Sequence, residues 1–126
     1  MSAITEDELL AVLDAVESGR VDVVAVGRSW HDVFAGEVTF RTSDGWTLVV
    51  FNDCDAWDYL DSATAPDGRT FDHDDHYALD AEGRAEEIVM PRLLNWGCIG
   101  SGCTFETRLA RQSCVRCQVW QRFSST

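Results

Sequence analysis

Cys98, Cys103, Cys114 and Cys117 are the residues of this chain whose types and spacing most directly imply chemistry. Two close pairs separated by a short loop let a chain wrap a tetrahedral ion with four thiolates, so the pattern predicts a structural Zn²⁺ site with no open catalytic position. Gly97, Gly100 and Gly102 suit the tight bends and close amide-to-sulfur approaches of such a knuckle. Ser113 is placed to cap a last helix carrying Cys114 and Cys117 in its first turn, where the helix dipole favours thiolate. Four residues intervene in the first pair, wider than the usual knuckle, and two disulfides, reduced cysteines that merely pack, or an iron–sulfur cluster are the alternatives for the same cysteines.

A second chemical signal is charge. The net charge is −12, yet residues 1–91 hold 21 Asp/Glu against five Arg while residues 92–126 hold one Glu against five Arg. Between Asp53 and Glu87 lie twelve acids and two arginines. Such density costs stability through self-repulsion, a cost most easily rationalised if a basic partner neutralises it. Asp53, Asp55, Asp58, Asp61, Asp72, Asp74 and Asp75, with Trp57 and Tyr59 as aromatic anchors, are the candidate partner-binding residues. The opposing reading is an ordinary solvated face, with Trp57 or Tyr59 in the core. Arg108, Arg111 and Arg116, near Trp120 and Phe123, are the alternative, a nucleic-acid contact by backbone charge and base stacking. Against it, four thiolates around one Zn²⁺ cancel part of the tail's positive charge, and the acidic body repels phosphate.

Catalytic chemistry is harder to find. Asp53, Asp55 and Asp58 resemble a calcium loop only loosely, since Trp57 stands where an oxygen ligand belongs and Asp58 where glycine is wanted. His73 and His76 could join Asp53 or Asp55 around a second metal in a minor metal-dependent enzyme, although histidines in an acidic loop are more often simply exposed. Cys54 lies between carboxylates that raise a thiol's pKa, which makes a poor nucleophile. The expectation is a non-enzymatic protein.

These groups must be positioned by a small fold, and 126 residues with 45% hydrophobic content suit one compact body plus a small module. Thr5 and Glu8 form a capping-box signature and Ile4 can staple onto Leu9, predicting a helix over about residues 6–18 with Leu9, Leu10, Leu13 and Val16 inward and Gly19 at its end. Val21–Val26 reads as a short strand or extended connection, and Ser29 can cap a single turn through Val33. Glu37–Thr42 and Trp46–Phe51 around Ser43-Asp44-Gly45 read as a hairpin. A third strand is expected at Trp57–Ala63, with Pro66-Asp67-Gly68 turning the chain into Arg69-Thr70-Phe71. Asp80 can cap a helix from Ala81 to about Met90, which Pro91 breaks or restarts.

The block carrying Asp44-Gly45-Trp46, the run Phe51-Asn52-Asp53-Cys54-Asp55, the pair Asp58-Tyr59 and the turn Pro66-Asp67-Gly68-Arg69 resembles a family of small bacterial proteins known as a domain of unknown function. The resemblance covers about residues 29–75 and implies no activity.

The fold expected is therefore α+β: an N-terminal helix packed on a small antiparallel β-meander, with a C-terminal helical zinc-knuckle module built on the four cysteines. The domains would be an acidic α+β body at 1–91 and a metal-binding module at 92–126 packed on it. The acidic start, Met1 to Glu8, is unlike a signal peptide and no apolar run is long enough to span a bilayer, so the expected setting is the cytoplasm. The expected function is binding through the acidic face to a basic protein, one that itself grips nucleic acid, in the manner of an inhibitor, a DNA mimic, or an immunity-type or phage-encoded partner. The alternative is a zinc-dependent regulatory or nucleic-acid-binding protein using the Arg-rich tail.

Overall fold

The computed structural model describes residues 4–30, 35–53, 56–73, 77–79, 85–88, 90–94, 96, 119–120 and 122–123. Helix α1 (Glu6–Glu17) starts as its sequence dictates: Thr5 Oγ1 accepts from Glu8 N at 3.2 Å while Glu8 Oε1 accepts from Thr5 N at 3.1 Å, the reciprocal pair of a capping box. Leu9, Val12, Leu13 and Val16 form its buried stripe, and Leu10 lies half-buried at its margin.

Five antiparallel strands follow in chain order: β1 (Val23–Val26), β2 (Ala35–Thr42), β3 (Thr47–Asp53), β4 (Ala56–Thr64) and β5 (Thr70–Asp72). Each pairs with its sequence neighbour, so the sheet is a simple meander. Val38, Phe40, Leu48, Val50, Trp57, Leu60, Ala63 and Phe71 face one core together with the apolar stripe of α1. Residues 31–33, the rest of the turn expected after Ser29, lie outside the described residues; Trp30 is wholly buried.

Two turns carry the block of residues singled out in the sequence. At the β2–β3 turn, Trp46 N donates to Thr42 Oγ1 at 2.9 Å, Gly45 N donates to Thr42 O at 3.1 Å, and Thr42 Oγ1 donates to Asp44 Oδ1. Gly45 has φ +100°, and a Cβ there would stand 3.2 Å from Pro66 of the β4–β5 turn, so both conformation and crowding select glycine. Beyond Pro66, Arg69 binds Asp67 at 2.8 Å and reaches back to α1 with a two-pronged grip on Glu8, at 2.6 and 3.1 Å. That guanidinium, with the Thr5 amide, holds the Glu8 carboxyl at about 2, far below its ordinary value. The capping residue of the helix is thus also the anchor of the second turn.

The expected helix from Ala81 to Met90 is not formed. Strands β6 (Tyr77–Leu79) and β7 (Ala85–Ile88) pair there as a separate antiparallel ribbon, with Tyr77 opposite Ile88 and Ala78 opposite Glu87. Gly83 is a poor helix residue, and Tyr77, Leu79 and Ile88 favour the extended pairing that replaces the helix. Pro91 then opens the single turn α2 (Pro91–Leu94), where a missing N–H costs nothing. Glu6 of α1 covers that turn, its Oε2 accepting from Arg92 N at 2.9 Å and Leu93 N at 3.1 Å. Arg92 also pairs with Glu6 and Asp7 through its guanidinium.

The expected fold class is corrected as well. The described structure is mostly β, one helix on a five-stranded antiparallel sheet, with no C-terminal helical module among the described residues. Leu93 and Trp120 of the described tail residues act instead as core: Trp120 is wholly buried and meets Phe40 edge-on at 5.1 Å, Trp57 at 6.1 Å and Phe123 at 5.7 Å. Its indole Nε1 donates to Glu17 Oε1 at 3.0 Å, which ties the tail to the end of α1. An aromatic surface this large is worth more buried against a sheet than displayed to solvent.

Candidate functional site

The face of the sheet opposite the core is built by alternation, interrupted twice. Glu37 on β2, Phe51 on β3 and Tyr59 on β4 stand in one cross-strand row. Register shifts between Val49 and Val50 and between Phe51 and Asn52 leave Asp61 and Asp58 as the extra residues of β4. The bulges re-aim both carboxylates without disturbing the inward residues Trp57, Leu60 and Ala63.

An aromatic ladder runs along this row. Phe51 and Tyr59 stack at 5.2 Å with rings within 2° of parallel, and His73, just past β5, lies 4.2 Å from Tyr59. Carboxylates flank it in two couples. Contact with Asp61, through hydrogen bonding first and then through its charge, pushes the Glu37 carboxyl above its ordinary value. Burial raises the Asp58 carboxyl, the charge of Asp53 raises it further, and His73 opposes both. In each couple a neighbouring carboxylate thus disfavours ionisation of one member, Glu37 in the first and Asp58 in the second.

Of the residues the sequence singled out, Asp53, Asp58, Tyr59 and Asp61 therefore meet on one surface, and Asp72 lies exposed on the adjoining β5, opposite Ser62. Trp57 does not belong to that surface: its ring is wholly buried beside Trp120. Asp55, Asp74 and Asp75 lie outside the described residues, as do Cys54, His76, the four tail cysteines Cys98, Cys103, Cys114 and Cys117, and Arg108, Arg111 and Arg116. Among the described residues, no group of three or more His, Cys, Asp or Glu is arranged to hold a metal ion. Sequence reasoning passes over Glu37 and Phe51; the alternation of β2 and β3 carries the signal for both, since each occupies an outward position of the hairpin. No helix among the described residues is long and apolar enough to cross a membrane.

Comparison with known proteins gives one finding about descent. The family model described as a domain of unknown function (DUF7693) matches residues 3–84, about two thirds of the chain and all of helix α1 and the meander. No curated protein and no solved structure matches the chain.

Proposed function

The chain belongs to the DUF7693 family of domains of unknown function, and from that premise we propose that it acts by binding a basic protein partner through the outer face of β3 and β4. The observation that carries the reading is the pairing of two carboxylate couples, Glu37 with Asp61 and Asp53 with Asp58, around the Phe51–Tyr59–His73 ladder. Guanidinium or ammonium groups arriving between the couples would relieve their repulsion and favour the ionised forms of Glu37 and Asp58. The rings offer flat surfaces on which an arginine can stack. A partner whose basic groove otherwise holds nucleic acid fits this description, which makes an inhibitor or DNA mimic the reading we favour.

The test uses an arginine-rich peptide as the cationic probe, with binding measured by calorimetry at two salt concentrations. The triple variant Asp53→Asn, Asp58→Asn, Asp61→Asn is expected to weaken binding at least about tenfold, equivalent to about 1.4 kcal/mol. Neutralising Arg108, Arg111 and Arg116 should leave it unchanged. Equal binding by the triple variant overturns the proposal. If a nucleic-acid probe binds and only the arginine changes abolish it, the Arg-rich tail is the functional element instead.

We also propose, on the sequence pattern, that Cys98, Cys103, Cys114 and Cys117 hold a structural Zn²⁺. Protein purified under reducing conditions should carry about one zinc per chain, and Cys114→Ser should lose both metal and thermal stability. Metal-free protein whose thiols titrate freely would sink this assignment.

A further inference from the structure

We propose that a second copy of this chain pairs antiparallel along the outer edge of β1, joining two five-stranded sheets about a two-fold axis at Ala25. Strand β1 is an edge of the sheet, and no described residue pairs with its outer side. Ser43 N donates to Asp22 O at 2.8 Å and Asp22 N to Ser43 Oγ at 3.1 Å, so Asp22 turns its backbone toward the β2 side. By strand alternation Val24 and Val26 do the same, and Val23 and Ala25 aim their N–H and C=O groups away from the sheet. These groups are the template for another strand.

The side chains favour the same partner. Val24 and Val26 are the exposed large hydrophobics among the described residues, at 36% and 44%. Natural edges are commonly guarded by a charge, a proline or a bulge, and Val23-Val24-Ala25-Val26 contains none of these. With Ala25 opposite its own copy, Val24 falls opposite Val26, Val23 opposite Gly27, and Asp22 opposite Arg28, each arrangement occurring twice. Asp22 and Arg28 are both exposed, and neither forms an ion pair among the described residues. Centring the pair on Val24 instead would set Asp22 against Val26 and leave both charges unmatched. Gly27, at φ +85°, ends the strand and carries no side chain to obstruct Val23 of the other copy. Arg28 follows it on a long stem able to reach the opposing carboxylate.

Net charge does not forbid this contact. The acidic face sits on β2, β3 and β4, and in the joined sheet these strands lie three, five and seven strand spacings from their copies, roughly 14, 24 and 34 Å at about 4.8 Å each. Even the nearest pair is beyond the screening length of about 8 Å at physiological salt. A contact made by one short strand buries little area, so the dimer is reversible and weak.

The experiment is sedimentation velocity of the full chain from about 1 μM to about 1 mM, the range of weak association. A dimer should grow in with concentration, and Val24→Arg should abolish it while far-ultraviolet circular dichroism stays native. Asp22→Arg and Arg28→Asp should each weaken the dimer several-fold, and the chain carrying both exchanges should recover it to within about threefold, because the register brings the two positions together. A chain monomeric across that range overturns the proposal. So does a dimer indifferent to Val24→Arg, or single-charge defects that the double exchange fails to repair.

Discussion

Replacing Trp120 by Ala is expected to destabilise the protein by about 3–5 kcal/mol, read as a lower urea midpoint at little-changed slope. Trp120 is wholly buried and touches Phe40, Trp57 and Phe123, so truncation opens a cavity bounded by rigid rings that collapse poorly. It also removes the bond from Nε1 to Glu17 at 3.0 Å. The two contributions separate: Trp120→Phe keeps most of the packing and should cost clearly less, while Glu17→Ala removes the acceptor but leaves the ring and should cost about 1–3 kcal/mol. A Trp120→Ala protein within about 1 kcal/mol of the parent would mean that the core does not depend on this ring.

The second large effect belongs to Asn52→Asp. Asn52 is wholly buried on β3 and its Nδ2 donates to the Trp30 carbonyl at 3.1 Å. The substitution keeps the shape but replaces the donor by an oxygen facing the Trp30 carbonyl, and at pH 7 it sets a negative charge in the core, with an expected loss of about 3–5 kcal/mol. The sign of the pH dependence follows from burial. Desolvation raises the folded-state pKa of the new carboxyl above its unfolded value of about 3.9. Below that value both states are protonated and the charge penalty is absent. As pH rises, the unfolded chain ionises first, so stability falls until the folded pKa is passed. Thermal unfolding at pH 4 and pH 7 should show the deficit against the parent growing with pH; a constant deficit would mean that position 52 is solvated.

Much of the meander is legible in the sequence because local rules and burial agree there. Thr5 and Glu8 announce the start of α1, and Ser43-Asp44-Gly45 and Pro66-Asp67-Gly68 punctuate strands that alternate. The outer face is only half legible. Strict alternation on β4 would set Trp57, Tyr59 and Asp61 on one side, whereas two bulges bury Trp57, Leu60 and Ala63 at a spacing of three and turn Asp58, Tyr59 and Asp61 outward. A bulge of this kind is fixed by the partner strand and leaves no mark in composition. The β6–β7 ribbon is misread from sequence because Asp80-Ala81-Glu82 imitates a helix start while pairing between residues ten or so apart decides the outcome. Trp120 is misplaced for a related reason: an aromatic beside arginines looks like a stacking platform until a hydrophobic floor is seen to receive it.

The bond between Glu17 and Trp120 joins residues 103 positions apart, whereas each strand of the meander finds its partner in the next turn of chain. Helix, hairpins and acidic face therefore depend on neighbours made early in synthesis, and the lid over Phe40 and Trp57 is made late. At ordinary translation speeds the stretch between Asp72 and Trp120 takes on the order of 2–10 s to add. For that interval the nascent sheet carries an uncovered aromatic floor, long enough for chaperones or a neighbouring nascent chain to find it. The late arrival of Trp120, with Leu93 and Phe123 from the same end of the chain, thus prolongs the interval in which the nascent sheet is open to capture or aggregation.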